Sequence, residues 1–330
     1  MRTNKRTHSD SGIHLDEIDH QLIGELMADG RATYAALAEE VDLSPAAARA
    51  RVLRLLDEQV ITISARIDPR TAGAAVFELT FISVDGPAEK VAEAISSVDE
   101  AVFVVSITGP WGLLAEIRCR DKEHQVETLD QVRAAPGVVD VESLTVIEYF
   151  KQDWSGLAAE LVHHRAEGRR QTPVPSHRRL DNLDRRIITE LIANGRVTFA
   201  ELAPIVKLSP AAVRARVHRL LDEGTAVVQT HPAPDILGPG IFAAVLLTTR
   251  QRAADLAERL SEIRESTLVV ATSGRYQVAS ELWARDGHHL LVTLDQIRGL
   301  DEVASVECYP YLSIEKEVYQ VRGLVADDSR

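Results

Sequence analysis

Apolar residues in the first half of the chain recur with two different periods, and the change of period divides it. Between Asp16 and Ala28, the apolar Ile18, Leu22 and Leu26 fall at helical spacing, and Asp29-Gly30 stops the run. Thr33 stands as the cap of a second helix holding Leu37, Ala38 and Val41, and Asp42-Leu43 turns into a third. That third helix opens on Ser44-Pro45: the hydroxyl caps a free backbone N–H, and proline at the first helical position loses no hydrogen bond. Ala48, Val52 and Leu55 then line one face, Arg49 and Arg51 flank it, and Arg54 shares the other face with the small Ala46, Ala47 and Ala50. A strand-like run over residues 60–64 follows. Three helices with a tight turn before the third, then a strand, predict a winged helix-turn-helix.

After Gly73 the period shortens. Residues 74–84 read as a strand, and Val91, Ala94, Ile95 and Val98 mark a helix over 87–97. Residues 102–108 and 113–119 form a hairpin around Gly109-Pro110-Trp111-Gly112. Val126, Leu129 and Val132 mark another helix, and residues 138–149 a final strand. The order βαββαβ predicts a ferredoxin-like α+β sandwich.

The same words then return at a constant offset of 165 residues. Leu15-Asp16-x-Ile18-Asp19 matches Leu180-Asp181-x-Leu183-Asp184, and Gly30-Arg31-Ala32-Thr33 matches Gly195-Arg196-Val197-Thr198. The third helix returns as Ser209-Pro210-Ala211-Ala212-Val213-Arg214-Ala215-Arg216-Val217-His218-Arg219. Each half is therefore one complete copy, too long for a solenoid unit. The expected domains are a basic tail (1–14), helix-turn-helix 1 (15–65), ferredoxin-like domain 1 (66–150), a basic linker (151–179), helix-turn-helix 2 (180–230), ferredoxin-like domain 2 (231–315) and a tail (316–330). As flexible coil the linker spans about 30 Å, enough for the copies to pair face to face as an intrachain pseudo-dimer.

Charge alters this picture in one respect. Taken alone, the net charge of −13 argues against a nucleic-acid binder, since such domains are usually basic. Its distribution is uneven. Residues 15–61 hold ten carboxylates against four arginines, whereas residues 180–225 hold seven basic side chains against six acidic ones. The second copy is expected to bind DNA more strongly. Cys119 and Cys308 lack metal-like spacing and read as lone thiols of a reducing cytosol, and no stretch approaches a membrane span. The chain is expected to be cytoplasmic, with no membrane contact. His163-His164 and His288-His289 have no spaced third ligand, so no metal or other cofactor is expected. There is no glycine-rich phosphate loop, HExxH helix or serine–histidine–aspartate signature, and the chain is not expected to be an enzyme.

In order, spacing and domain sequence these motifs resemble the leucine-responsive/asparagine (Lrp/AsnC) family of transcription regulators. The resemblance covers both halves. It implies a helix-turn-helix on operator DNA and a regulatory βαββαβ domain that assembles through its sheets and senses a small metabolite, commonly an amino acid. Candidate contacts to double-stranded DNA are Thr33, Ser44, Ala46, Ala47, Arg49, Arg51 and Arg54, with Thr198, Ser209, Ala211, Ala212, Arg214, Arg216, His218 and Arg219. Arg54, Arg219 and His218 point away from the apolar stripe toward bases, and the flanking arginines hold phosphate or local carboxylates. The alanines suit thymine methyls. Thr33 and Thr198 are first of all caps.

Two departures stand out. The family's effector loop usually reads Gly-x-Tyr-Asp, and its acidic residue helps form the site. Here the loops read Gly109-Pro110-Trp111-Gly112 and Gly274-Arg275-Tyr276-Gln277, so the acidic residue is missing from both. A buried ammonium needs a carboxylate or several acceptors. Either the ligand differs or these sites have lapsed, and Gly109, Trp111, Gly274, Arg275 and Tyr276 stand as the effector candidates. Trp111 and Tyr276 equally suit packing at a sheet or subunit interface. Gln59 also replaces the glycine usual after the recognition helix, which Gly224 retains. The expected function is a sequence-specific regulator, with further homo-oligomer assembly. Two other readings stand beside it. One is a non-specific nucleoid binder. The other is a siroheme-decarboxylase-like enzyme, a branch with this layout that carries histidines in a hairpin where this chain has Ser106-Ile107-Thr108-Gly109-Pro110-Trp111.

Overall fold

The computed structural model describes residues 14–72, 74–154, 180–233 and 240–317. Most of the expected linker, with His163-His164, and most of both expected tails lie outside the described residues. The first copy runs α1 (Glu17–Ala28), α2 (Tyr34–Glu40), α3 (Pro45–Asp57) and β1 (Ile61–Ile67). It continues with β2 (Val76–Val84), α4 (Ala88–Ser96), β3 (Ala101–Ile107), β4 (Leu113–Cys119), α5 (Lys122–Arg133) and β5 (Val138–Gln152). The second copy repeats this as α6 (Asn182–Ala193), α7 (Phe199–Val206), α8 (Pro210–Asp222) and β6 (Ala226–Pro232). It ends with β7 (Ile241–Thr249), α9 (Ala253–Ser261), β8 (Ser266–Ser273), β9 (Val278–Ala284), α10 (Gly287–Arg298) and β10 (Val303–Glu317).

Like packs with like. One compact unit gathers both helix-turn-helix domains and the other both ferredoxin-like domains. In the helix-turn-helix unit the strand read as a wing does not form a hairpin within its own domain. β1 pairs antiparallel with β6, Ile61 opposite Pro232 and Ile67 opposite Ala226. Unpaired backbone on a short strand must find a partner, and here the other copy supplies it. Ala65 and Ile67 of β1 thereby enter the core of the second copy, beside Ile187, Leu191, Val213 and Val217. The glycines before Arg31 and Arg196 allow this: a Cβ on Gly30 would stand 3.0 Å from a Val228 methyl, and one on Gly195 3.0 Å from an Ile63 methyl. Arg31 then donates to the carbonyls of Gly195 and Val197, and Arg196 returns the bond to Gly30 and Ala32. Each guanidinium also covers an aromatic face of the other copy, Phe199 and Tyr34 respectively.

The ferredoxin-like unit is a closed eight-stranded barrel with the strand order β10-β3-β4-β2-β5-β8-β9-β7. Each copy contributes the order expected of its βαββαβ fold. The copies do not merely lay faces together, because β5 continues onto β8 and β10 onto β3, leaving no free sheet edge. The inner faces bury Phe81, Leu114, Leu144, Leu246 and Val270, and the helices pack outside on Ile82, Ile117, Val245 and Leu282. Two lysines lock the arrangement reciprocally. Lys151 donates to the Ile263 carbonyl just past α9, and Lys316 to the Val98 carbonyl just past α4, both 2.8 Å and buried. A cation at a helix C-terminus also meets the negative end of the helix dipole.

Candidate nucleic-acid interface and ligand site

Both recognition helices start as their sequence dictates. The Ser44 and Ser209 hydroxyls each accept from the backbone N–H three residues on, at 3.2 Å, with proline next in line. Thr33 and Thr198 cap α2 and α7, and Thr198 adds a reciprocal bond with Glu201. All four caps remain exposed. The turn into each recognition helix passes through a left-handed residue, Asp42 at φ 52° and Lys207 at φ 55°.

The arginines divide into two sets. Arg51 bonds Asp16 at 2.7 Å and Asp19 at 2.9 Å, and Arg54 closes on the other oxygen of Asp19. The second copy repeats this with Arg216 on Asp181 and Asp184 at 2.8 and 2.7 Å, and Arg219 on Asp184 at 2.7 Å. Asp19 and Asp184 are buried, with 1% and 5% of their side-chain surface exposed. Hydrogen bonds from Arg51 and the Asp19 backbone hold Asp16 below the usual carboxylate range. Burial pushes Asp181 the other way, but the Asp184 backbone and Arg216 outweigh it and leave its carboxyl low as well. Arg54 and Arg219, expected to point toward bases, each bond a buried carboxylate on the first helix of their own domain while keeping 39% and 47% of their side-chain surface exposed. Arg49 and Arg214 are different. Both are exposed, and neither makes an ion pair among the described residues. Beside them on the same outer surface lie Ala46, Ala50, Ala211, Ala215 and the exposed His218, whose ring stands 5.9 Å from Phe199.

The acidic partners were present in the sequence as Leu-Asp-x-x-Asp, repeated in both copies. What pairs them with the arginines is the packing of α1 against α3, which spacing along the chain does not encode.

At one mouth of the barrel the two effector-candidate loops approach the final strands. Gly109 takes φ 91° and Gly274 φ 115°, a backbone region that suits glycine. A Cβ on Gly109 would press on the Tyr309 ring at 3.0 Å, and one on Gly274 would meet a Leu144 methyl at 3.2 Å. Trp111 and Tyr309 both stand 6.1 Å from Phe81. Tyr276 is buried, and Arg275 lies over its ring. One carboxylate joins them. Glu307 accepts from the Tyr309 hydroxyl at 2.5 Å and stands 3.4 Å from Arg275. Burial would raise the Glu307 carboxyl, but the Tyr309 and nearby Tyr276 hydroxyls with Arg275 outweigh it, holding it ionised below the usual range. The tyrosines respond in the opposite sense. Burial and the adjacent carboxylate push Tyr309 up to about 12 and Tyr276 further still. The Tyr276 hydroxyl itself is buried without a partner in hydrogen-bond geometry. Glu307 and Tyr309 escaped the sequence reading, although Glu142 and Glu307 repeat at the 165-residue offset. Among the described residues no group of three or more His, Cys, Asp or Glu could hold a metal ion. No helix there is long and apolar enough to cross a membrane.

Paired helix-turn-helix domains joined in one chain to paired ferredoxin-like domains define a transcription regulator with DNA-binding and ligand-binding parts. The AsnC-type helix-turn-helix domain model matches residues 15–56 and 180–221, and the Lrp/AsnC ligand binding domain model matches residues 79–155. The chain belongs to the Lrp/AsnC family, as a tandem duplication. The HTH-type transcriptional regulator FL11 of Pyrococcus horikoshii is 28% identical over 142 residues, covering 42% of this chain and 94% of that protein. Regulatory protein AsnC of Escherichia coli K12 is 29% identical over 132 residues, covering 39% and 87%. Each such relative corresponds to one copy. Over the whole chain, the solved structure of the siroheme decarboxylase NirDL superposes with a TM-score of 0.61, covering 94% of this chain and 97% of that one. At 14% identity that likeness is one of fold.

Proposed function

We propose that this regulator is sequence-specific, that it reads an operator with two unlike half-sites, and that a small metabolite such as an amino acid modulates it. The observation that carries the reading is the pairing of exposed, uncommitted Arg49 and Arg214 on two recognition helices whose domains are clasped together by β1, β6, Arg31 and Arg196. Arg49 and Arg214 take the phosphate or base contacts. Ser44, Thr33, Ser209 and Thr198 offer capped, exposed helix starts to phosphate, and Ala46, Ala47, Ala211 and Ala212 allow close approach to bases. Arg51, Arg54, Arg216 and Arg219 orient the helices through their carboxylates. Ala48 and Val213 differ between copies but are buried, so the outward difference in the recognition helices falls on Leu53 and His218.

Fluorescence anisotropy on DNA from upstream of the gene, beside scrambled DNA and over a salt series, tests this. Wild type should prefer the upstream DNA. Arg49→Ala/Arg214→Ala should lose about tenfold or more in affinity and flatten the salt slope by about two charges. Equal weak binding to both DNAs with a steep salt slope would favour the non-specific reading instead.

Assembly of further chains belongs to the same reading. Val126 and Leu291, and Ile147 and Leu312, are exposed apolar side chains at equivalent places in the two copies. Sedimentation at working concentration should show more than a monomer. The whole-chain likeness to a siroheme decarboxylase favours an enzyme as the second reading. Decarboxylation of added siroheme under anaerobic conditions, together with loss of all DNA binding, would replace the regulator reading with it.

A further inference from the structure

On each recognition helix two arginines meet carboxylates of their own domain, and the balance of charge is even. Arg51 and Arg54 share Asp16 and Asp19, and Arg216 and Arg219 share Asp181 and Asp184, two cations against two anions in each copy. We propose that these aspartates act as built-in stand-ins for phosphate, cancelling the charge of the paired arginines and so holding down binding to DNA irrespective of its sequence. This rests on the DNA-binding reading above.

The physical case begins with access. Arg54 and Arg219 stand one helical turn beyond the exposed Ala50 and Ala215, on the outward side of their helices. Arg51 and Arg216 each keep 29% of their side-chain surface exposed, so phosphate can reach all four guanidinium groups. The bonds to aspartate use only Nη1 of Arg51 and Arg216 and only Nη2 of Arg54 and Arg219. A guanidinium has five N–H groups, so each retains donors for an anion. Geometry therefore permits contact with DNA, and charge decides what that contact yields. A cation gains on DNA by releasing the counterions condensed on the phosphate it neutralises. An arginine already neutralised by a carboxylate brings no such gain. Leaving that carboxylate for a phosphate would strand Asp19 or Asp184 as a buried, unpaired anion. Arg49 and Arg214 carry no such partner among the described residues. Of the three arginines on each recognition helix, general DNA then gains the full charge of one.

Asp16→Asn/Asp181→Asn tests this in the full chain. Both aspartates are half exposed, and asparagine caps a helix as well as aspartate does, so α1 and α6 keep their starts. Each cluster gains one net positive charge. Fluorescence anisotropy on scrambled DNA over a salt series reads the effect. The variant should bind about tenfold tighter, with a salt slope steeper by about two charges, one freed arginine per copy, and a melting temperature near wild type. Made in an Arg51→Gln/Arg216→Gln background, the same substitution should change neither affinity nor slope, because it frees no arginine. An unchanged slope in the first variant would overturn the proposal. So would an equal gain in both backgrounds, which would show that only total charge matters. Preference for the upstream DNA is read separately from wild type, so failure of the operator reading and failure of this one are told apart. No binding of either DNA by any of these proteins would overturn both.

Discussion

Single residues of this chain carry two kinds of tension. Gln59 sits at φ 56°, where its counterpart Gly224 takes φ 66° without a Cβ to object. Gln59→Gly should therefore raise stability by about 1 kcal/mol, visible as a higher melting temperature in calorimetry. The opposite is expected at Asp19. Its buried carboxylate receives both Arg51 and Arg54, so Asp19→Ala leaves two guanidinium groups without their shared acceptor. Because both arginines are themselves partly exposed and can turn to water, the loss should be about 2 kcal/mol rather than the larger figure for a fully buried pair. Chemical denaturation measures it, and a loss below about 0.5 kcal/mol would show that the arginines do not depend on Asp19.

At the scale of elements, the two helix-on-sheet layers are built differently. Glu78 on β2 is buried and bonded by Gln125 of α5 and Thr145 of β5, while its second carboxylate oxygen has no partner among the described residues. The matching second-copy positions are Ala243, Leu290 and Pro310, all apolar. Burial pushes the Glu78 carboxyl above its ordinary 4.5, against a smaller lowering by Thr145. The folded chain then holds a proton that the unfolded chain releases, so stability is full below pH 4.5 and falls as pH rises through the folded value. Asp16 and Asp181, both held low, act in reverse: their contribution is present above the usual carboxylate range and fades as pH falls. Urea denaturation from acid to neutral pH should show both arms. Glu78→Gln should remove the loss on the rising side and leave the acid side unchanged.

The whole molecule is a dimer folded into one chain, and its strands are shared to make it so. β1 completes the second copy's helix-turn-helix, β6 the first, and β5 and β10 close the barrel. Breaking both lysine clasps with Lys151→Met/Lys316→Met should loosen the barrel closure and speed amide exchange in β3, β5, β8 and β10, while leaving the helix-turn-helix unit protected. The same fused plan predicts an asymmetric operator. Selection from random duplexes should return half-sites that differ where Leu53 and His218 fall, and Leu53→His should make the selected sequence more nearly palindromic. Identical half-sites selected by wild type would contradict this.

Much of this was legible along the chain, because local rules decided it. Ser44-Pro45 and Ser209-Pro210 start helices through hydrogen bonds three residues long, apolar periods mark buried faces, and a constant 165-residue offset announces two copies. These depend on neighbours in sequence. What the tertiary structure alone decided depends on neighbours in space. A strand after a recognition helix looks the same whether it folds into a wing or pairs with its counterpart, since either partner satisfies its backbone. An arginine on a helix face reads as free until a buried aspartate from another helix is set against it, as Asp19 and Asp184 are. Glu307 carries no local mark of function. Its place among Arg275, Tyr276 and Tyr309 exists because β10 brings it there, and electrostatic attraction depends on that distance rather than on position in the sequence.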